Sequence, residues 1–166
     1  MFIEKHNNNL PQISEKAKIF QNACISGDVI IEDNVSVWYN VSIRGDMDKV
    51  TIKENTNIQD NAVIHTNINL PTFIGKNVTV GHNAIIHACT VHDHALIGMG
   101  SILLDGCVIG EGALVGAGCV VPPNKKVPPK TLVVGNPMKI IRELTEDELQ
   151  AMKQNKDYYL KLMSEY

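Results

Sequence analysis

The stretch "LIGMGSILLDGCVIGEGALVGAGCVV" (residues 96–121) places an aliphatic residue at every sixth position: Ile97, Leu103, Ile109, Val115 and Val121. Glycine follows directly at 98, 110 and 116, and a small residue (Ser101, Cys107, Ala113 or Cys119) stands four places after the aliphatic one. A period of six matches neither the 3.6-residue repeat of a helix nor the alternation of a simple strand. It is the period of a β-solenoid, in which each hexapeptide forms one short strand and one turn.

The same phase extends toward the N-terminus. Ile25, Ile31, Val37 and Ile43 keep it, as do Ile52, Ile58 and Ile64, then Ile74, Val80 and Ile86, with a one-residue slip before Val91. Small or aliphatic residues again sit four places on, at Val29, Val35, Val41, Ala62, Val78, Ala84 and Ala95. Three extra residues interrupt the count within "IRGDMDKVT" (43–51) and four within "IHTNINLPTF" (64–73). Such insertions are expected as loops, often on a binding face. Three hexapeptides close one triangular coil, so a residue stacks on its equivalent about 18 positions later. An antiparallel sandwich gives no reason for so many in-phase repeats.

This pattern resembles the left-handed parallel β-helix of hexapeptide-repeat proteins. The left hand is implied by the resemblance alone, because general crossover rules favour the right hand. The expected fold class is therefore an all-β solenoid, a single-stranded left-handed parallel β-helix, with a C-terminal α-helix. The repeat is expected to stop at the proline-rich "PPNKKVPPK" (122–130). A helix is expected from "TEDE" (145–148), where Thr145 and Glu148 form a capping box and acidic residues suit the first turn. Leu149, Met152, Tyr159, Leu160 and Met163 would then give it an apolar stripe. Residues 1–131 read as the β-helix with its lead-in, and 132–166 as a C-terminal segment and helix packed on it.

Bulk properties narrow the function classes. A chain of 166 residues with 44% hydrophobic content suits one globular domain, and 5% aromatic content makes its core aliphatic. A net charge of −3 argues against nucleic acid or an anionic membrane as the main partner. The start "MFIEKHNNNLPQ" has no apolar h-region, and no apolar run reaches the ~18 residues of a membrane span. Cys24, Cys89, Cys107 and Cys119 show no CxxC spacing, which suits reduced thiols in a cytoplasmic protein. Cys107 and Cys119 fall at inward positions and read as core.

Four of the six histidines lie in "VTVGHNAIIHACTVHDH" (78–94). Arg44, His65 and His87 each follow an aliphatic residue of one face (Ile43, Ile64, Ile86), so they occupy equivalent outward positions on successive coils. Coils about 4.8 Å apart would let two imidazoles lean together to the ~3.4 Å nitrogen spacing that two Zn–N bonds require. Asp60 and His82 each stand two residues past Ile58 and Val80, on a different side of the prism. One rigid chain would hardly bring all three histidines to one metal. Two chains packed side by side around a threefold axis would. Exposed turn histidines are the bland alternative for this trio, a structural turn aspartate for Asp60 and a plain surface arginine for Arg44. His6, His92 and His94 read as surface residues.

"SIRGD" (42–46), "NIQDNAVIH" (57–65), "VTVGHNAIIH" (78–87) and "IGMGSILLDG" (97–106) together resemble the gamma-class carbonic anhydrase family and its close relatives, from about residue 10 to the C-terminus. The resemblance implies a homotrimer with a metal at each subunit interface, and its three histidine ligands fall on His65, His82 and His87. Zn2+ is the implied ion, with Fe2+ or Co2+ equally suited to three imidazoles and water. The metal would turn water into a hydroxide that attacks carbon dioxide to give bicarbonate. By the same resemblance Gln59 would orient that hydroxide, Arg44 would pair with Asp60 across the interface, Asp46 would position Arg44, and Tyr159 would approach the metal from the helix. One departure stands out. Active members carry glutamates that export protons, whereas this chain has Met47 at one such position and no carboxylate in "TNINLPTF" (66–73). That predicts slow turnover. A second reading, acyl transfer or thioester hydrolysis on coenzyme A, draws on the same repeat and on "VVGNPMKII" (133–141), which resembles the segment after the solenoid in such transferases. A non-catalytic metal-binding module is the third.

Overall fold

The computed structural model describes all 166 residues, Met1–Tyr166. Short parallel strands, mostly two or three residues long, wind into a left-handed β-helix of about 7 turns, closed by one C-terminal helix. Each strand pairs with its equivalents one coil before and one coil after. Ile86 lies between Ile64 and Leu103, Val80 between Ile58 and Ile97, and Val91 between Ile74 and Ile109. The period-six aliphatic residues therefore stack in three columns inside the prism and form, with the small residues, a core of 31 buried side chains. Small side chains are needed where the walls converge, and Ala62, Ala84 and Cys107 there are fully buried.

The corners explain the asparagine content. Asn22, Asn34, Asn40, Asn55, Asn61, Asn77, Asn83 and Asn124 all take φ between 57° and 63°, the left-handed region that asparagine tolerates best after glycine. Gly98 answers a different demand: a Cβ there would lie 2.6 Å from the backbone nitrogen of Ala117 on the next coil.

The solenoid is longer than the repeat count predicts. Ile13 and Ile19 already keep the phase, pairing with Ile31 and Val37. At the other end the ladder does not stop at 122–130. Val127 and Val133 carry the six-residue spacing on, both buried, in strands Lys126–Val127 and Thr131–Val134. The proline pairs 122–123 and 128–129 fall in the turns before each of these strands, where no ladder N–H is required. The first insertion is also not a loop. Ser42–Ile52 forms one 11-residue strand along Cys24–Ile31, and a register shift between Gly27 and Val29 absorbs the extra residues. The second insertion is a tight turn closed by an antiparallel bridge between Asn67 and Leu70.

Beyond the last coil, Lys139–Glu143 turns back antiparallel to Thr131–Val134. The helix Glu146–Ser164 follows, with Thr145 as N-cap and the Thr145–Glu148 capping box complete. Of its apolar stripe only Met152 is buried. The helix is seated by aromatic rings that the narrow prism has no room for. Trp38 stacks on Phe20 at 4.2 Å, and Tyr159 and Tyr166 meet Trp38 edge-on at 5.8 and 5.9 Å. No helix is long and apolar enough to cross a membrane.

Ile97→Ala, in the middle of one inner column, is expected to cost about 2–5 kcal/mol in a denaturant titration, whereas Met99→Ala, exposed two residues on, should stay within about 0.5 kcal/mol. A bidentate pair from Arg142, 2.7 and 2.8 Å long, holds Glu148 at a pKa of about 2 against an ordinary 4.5. A carboxylate so depressed stabilises the fold fully above its ordinary pKa and loses that contribution as pH falls toward the folded value. The stability gap between wild type and Arg142→Ala should thus shrink between pH 4.5 and 2, measured by urea unfolding at each pH.

Candidate metal centre

Parallel pairing puts Arg44, His65 and His87 in one row across three coils. The rings of His65 and His87 lean together until Nδ1 of His65 is 3.1 Å from Nε2 of His87. Their other nitrogens are both held by carboxylates: Nε2 of His65 by Asp46 at 2.9 Å, and Nδ1 of His87 by Asp105 at 2.5 Å. A carboxylate accepts, so each of these nitrogens donates. The two facing nitrogens then turn lone pairs toward one another unless a cation, a proton or a metal ion, stands between them. Their separation is close to the ~3.4 Å that two ligands of a tetrahedral ion with bonds of 2.0–2.1 Å span. The donor set fits a metal.

Asp46 is tied on both sides, to His65 and to the Arg44 guanidinium. Burial pushes its carboxyl up, but the hydrogen bonds from His65 and Arg44 outweigh that and hold it below the usual carboxylate range. Asp105 is likewise depressed, first by the amide of Asn67 at 2.7 Å, against some desolvation, and then by His87.

His82 stands on another face. Its Nδ1 lies 2.9 Å from Asp60, directly on the preceding coil, so that Nε2 is its free nitrogen. It opens onto a cleft of about 430 Å³ that is also lined by Gln59, Met99, Asn155 and Tyr159. Gln59 is buried, and its Nε2 donates to Asn57, whose own amide donates to Thr79 at 2.9 Å. Its carbonyl oxygen is therefore the end presented to the cleft. Tyr159 comes from the helix and is aimed by Trp38.

Every residue that the sequence singles out is thus placed, in two groups. Arg44, Asp46, His65 and His87 share one row, and Gln59, Asp60, His82 and Tyr159 share the other face. Within one chain no three His, Cys, Asp or Glu side chains converge on a point that would hold a metal. His92 is exposed, and His94 lines a separate crevice of about 280 Å³ with Glu111 and Lys130. Three residues escape sequence reasoning. Asn155 stands one helical turn before Tyr159, a spacing that would have paired them. Asp105 and Asn67 lie 18 residues after His87 and two after His65, and only the coil geometry brings them together.

The chain is a hexapeptide-repeat β-helix protein: residues 88–123 match the family model "Bacterial transferase hexapeptide (six repeats)". It is 46% identical over 158 residues to a carbonic anhydrase of Geobacillus kaustophilus, an alignment covering 95% of this chain and 87% of that one. Gamma carbonic anhydrase 2, mitochondrial, of Arabidopsis thaliana is 42% identical, covering 92% of this chain and 57% of its own length. On this identity and coverage, the chain belongs to the gamma carbonic anhydrase family. A crystal structure of a hexapeptide transferase family protein from Anaplasma phagocytophilum superposes with a TM-score of 0.96 at 41% identity, covering 99% of this chain and 98% of that one.

Burial, and after it the negative charge of Asp60, raises the Tyr159 phenol above its ordinary 10. Asp60→Asn is expected to lower that ionisation while leaving it above 10, followed through the 13Cζ resonance in a pH titration.

Proposed function

We propose that the protein is a metal-dependent lyase interconverting carbon dioxide and bicarbonate at sites shared between copies of a homotrimer. His65 and His87 of one copy and His82 of the next would hold each ion. The observation that carries this is the pairing of each imidazole with its own carboxylate (Asp46, Asp105, Asp60), which leaves one ring nitrogen of each free to ligate. Zinc, iron(II) or cobalt(II) all suit such a set. An ion held there would supply a nucleophile from water at neutral pH.

The protein's own groups do the rest. Gln59, locked by Asn57, offers an acceptor oxygen that fixes the direction of an incoming O–H. Arg44, half-exposed at the end of the histidine row, would meet Asp60 of the neighbouring copy, so the site is complete only in the oligomer. Asp46 holds Arg44 for that contact and His65 for the metal. Tyr159 walls the cleft beside Gln59 and His82. An apolar ladder flanks the histidine row, with Val63 and Ile85 39% and 36% exposed in one chain, and supports burial against another copy. Four free cysteines support a reducing, cytoplasmic setting.

Proton export is the weak step. Met47 replaces an acidic group, and Asp46 and Asp105 are committed to histidines. Turnover should therefore be slow and should rise with the concentration of imidazole buffer, since an external base would do what Met47 and the committed Asp46 and Asp105 do not.

Elemental analysis of protein purified without chelators is expected to find about one metal per chain. Stopped-flow hydration should be abolished in His82→Ala, and equal rates in the two proteins would sink the lyase reading. The transferase likeness of the Anaplasma structure supports a second reading, acyl transfer from coenzyme A. Such chemistry needs one histidine as a base rather than three as ligands, so acyl-CoA turnover lost in only one of His65→Ala, His82→Ala and His87→Ala would favour it.

A further inference from the structure

Asp105 touches no atom that would react, yet it ends a chain of three contacts running Asp46, His65, His87, Asp105. It comes from the coil after His87, and its two oxygens do different things. Oδ1 takes Nδ1 of His87 at 2.5 Å, and Oδ2 takes the side-chain amide of Asn67 at 2.7 Å. Asn67 belongs to the tight turn inserted right after His65. One carboxylate thus clasps the second histidine to the turn that leaves the first.

We infer that Asp105 is a positioning residue for the metal: by accepting from Nδ1 it keeps the His87 proton off Nε2, the nitrogen that faces His65, and so leaves both facing nitrogens free to ligate. The inference rests on the metal reading of the His65–His87 pair and adds to it a residue that makes one ligand competent. Geometry sets the chemistry. An imidazole with its proton on Nε2 would donate toward His65 and present no lone pair there. An acceptor fixed at Nδ1 removes that tautomer, and only an ionised carboxylate is an acceptor at every orientation. Asn in its place would keep the shape. It would, however, satisfy Asn67 with its oxygen and turn its NH2 to His87, driving the proton to Nε2. A purely structural role is the alternative, with Asp105 serving to anchor the 66–71 turn through Asn67. The two roles separate because the turn contact is Asn67's and the tautomer contact is not.

The test uses the full-length protein in two measurements. In metal-free 15N-histidine-labelled protein at pH 8, with the His87 signals identified by their loss in His87→Gln, long-range 1H–15N spectra should show the proton on Nδ1 in wild type and on Nε2 in Asp105→Asn. A wild-type His87 whose only proton is on Nε2, with Nδ1 bare, would overturn the inference without reference to any metal. Chelator competition with Zn2+ and with Co2+ should then show affinity falling about 10–100-fold in Asp105→Asn and less than about threefold in Asn67→Ala, with the Co2+ visible bands altered only in the former. An unchanged affinity in Asp105→Asn, or an equal loss in Asn67→Ala, would also overturn it. If wild type takes up neither metal, the metal reading fails by itself, and the tautomer spectra still decide whether Asp105 sets the His87 proton.

Discussion

Everything in this molecule depends on the register of parallel backbone pairing between coils. A ladder hydrogen bond fixes each residue against its equivalent to within a fraction of an ångström, and the side chains inherit that alignment. Inside the prism the result is three aliphatic columns. Outside it is a row in which Arg44, His65 and His87 stand in file, and on another face a pair, Asp60 and His82. A slip of one residue would send Ile64 outward and His65 into the core, which the buried columns forbid. The energy that places the imidazoles is thus hydrophobic, although the chemistry they support is not.

The site also shows how polar groups are handled on such a rigid frame. Each imidazole is held from the side by a carboxylate on an adjacent coil, so that no loop has to order itself to fix the rings. The buried amide file Thr79–Asn57–Gln59 does the same for a neutral group. The helix, like the reversed strand Lys139–Glu143 before it, does not follow the coil. Its attachment through Trp38 carries Tyr159 and Asn155 to the His82 side, away from the repeat's own logic.

Much of this was legible from spacing. The inner columns, the stacking of His65 with His87, the partnership of Asp60 with His82 and the helix cap all follow from counting sixes and from capping chemistry. Ile13 and Ile19 were missed because a two-membered run carries little weight on its own. Val127 and Val133 were missed because prolines mask a strand unless one knows that they occupy corners. Asp105 was missed for a sharper reason. The corner at Ala88, with φ of 48°, is one residue short, so Ile86 pairs with Leu103 at a separation of 17 whereas Cys89 lies a full 18 before Cys107. Counting 17 from His87 gives Leu104 and counting 18 gives Asp105, so spacing alone does not choose between them. The three-residue insertion before Ile52 misled in the opposite way: a strand with a bulge absorbed what arithmetic assigned to a loop.

The reversal of Lys139–Glu143 against Thr131–Val134 has a consequence of its own. A bare parallel coil ends in unpaired N–H and C=O groups that any other coil could extend, and a stack of identical rungs is the geometry of a fibril. Running the last strand backwards presents the wrong polarity for continued parallel winding on that face, while the helix lies along the side of the solenoid against Trp38. Backbone direction thus opposes parallel growth on that face at the C-terminal end. The reversal leaves untouched the lateral walls, the surfaces that carry the histidines.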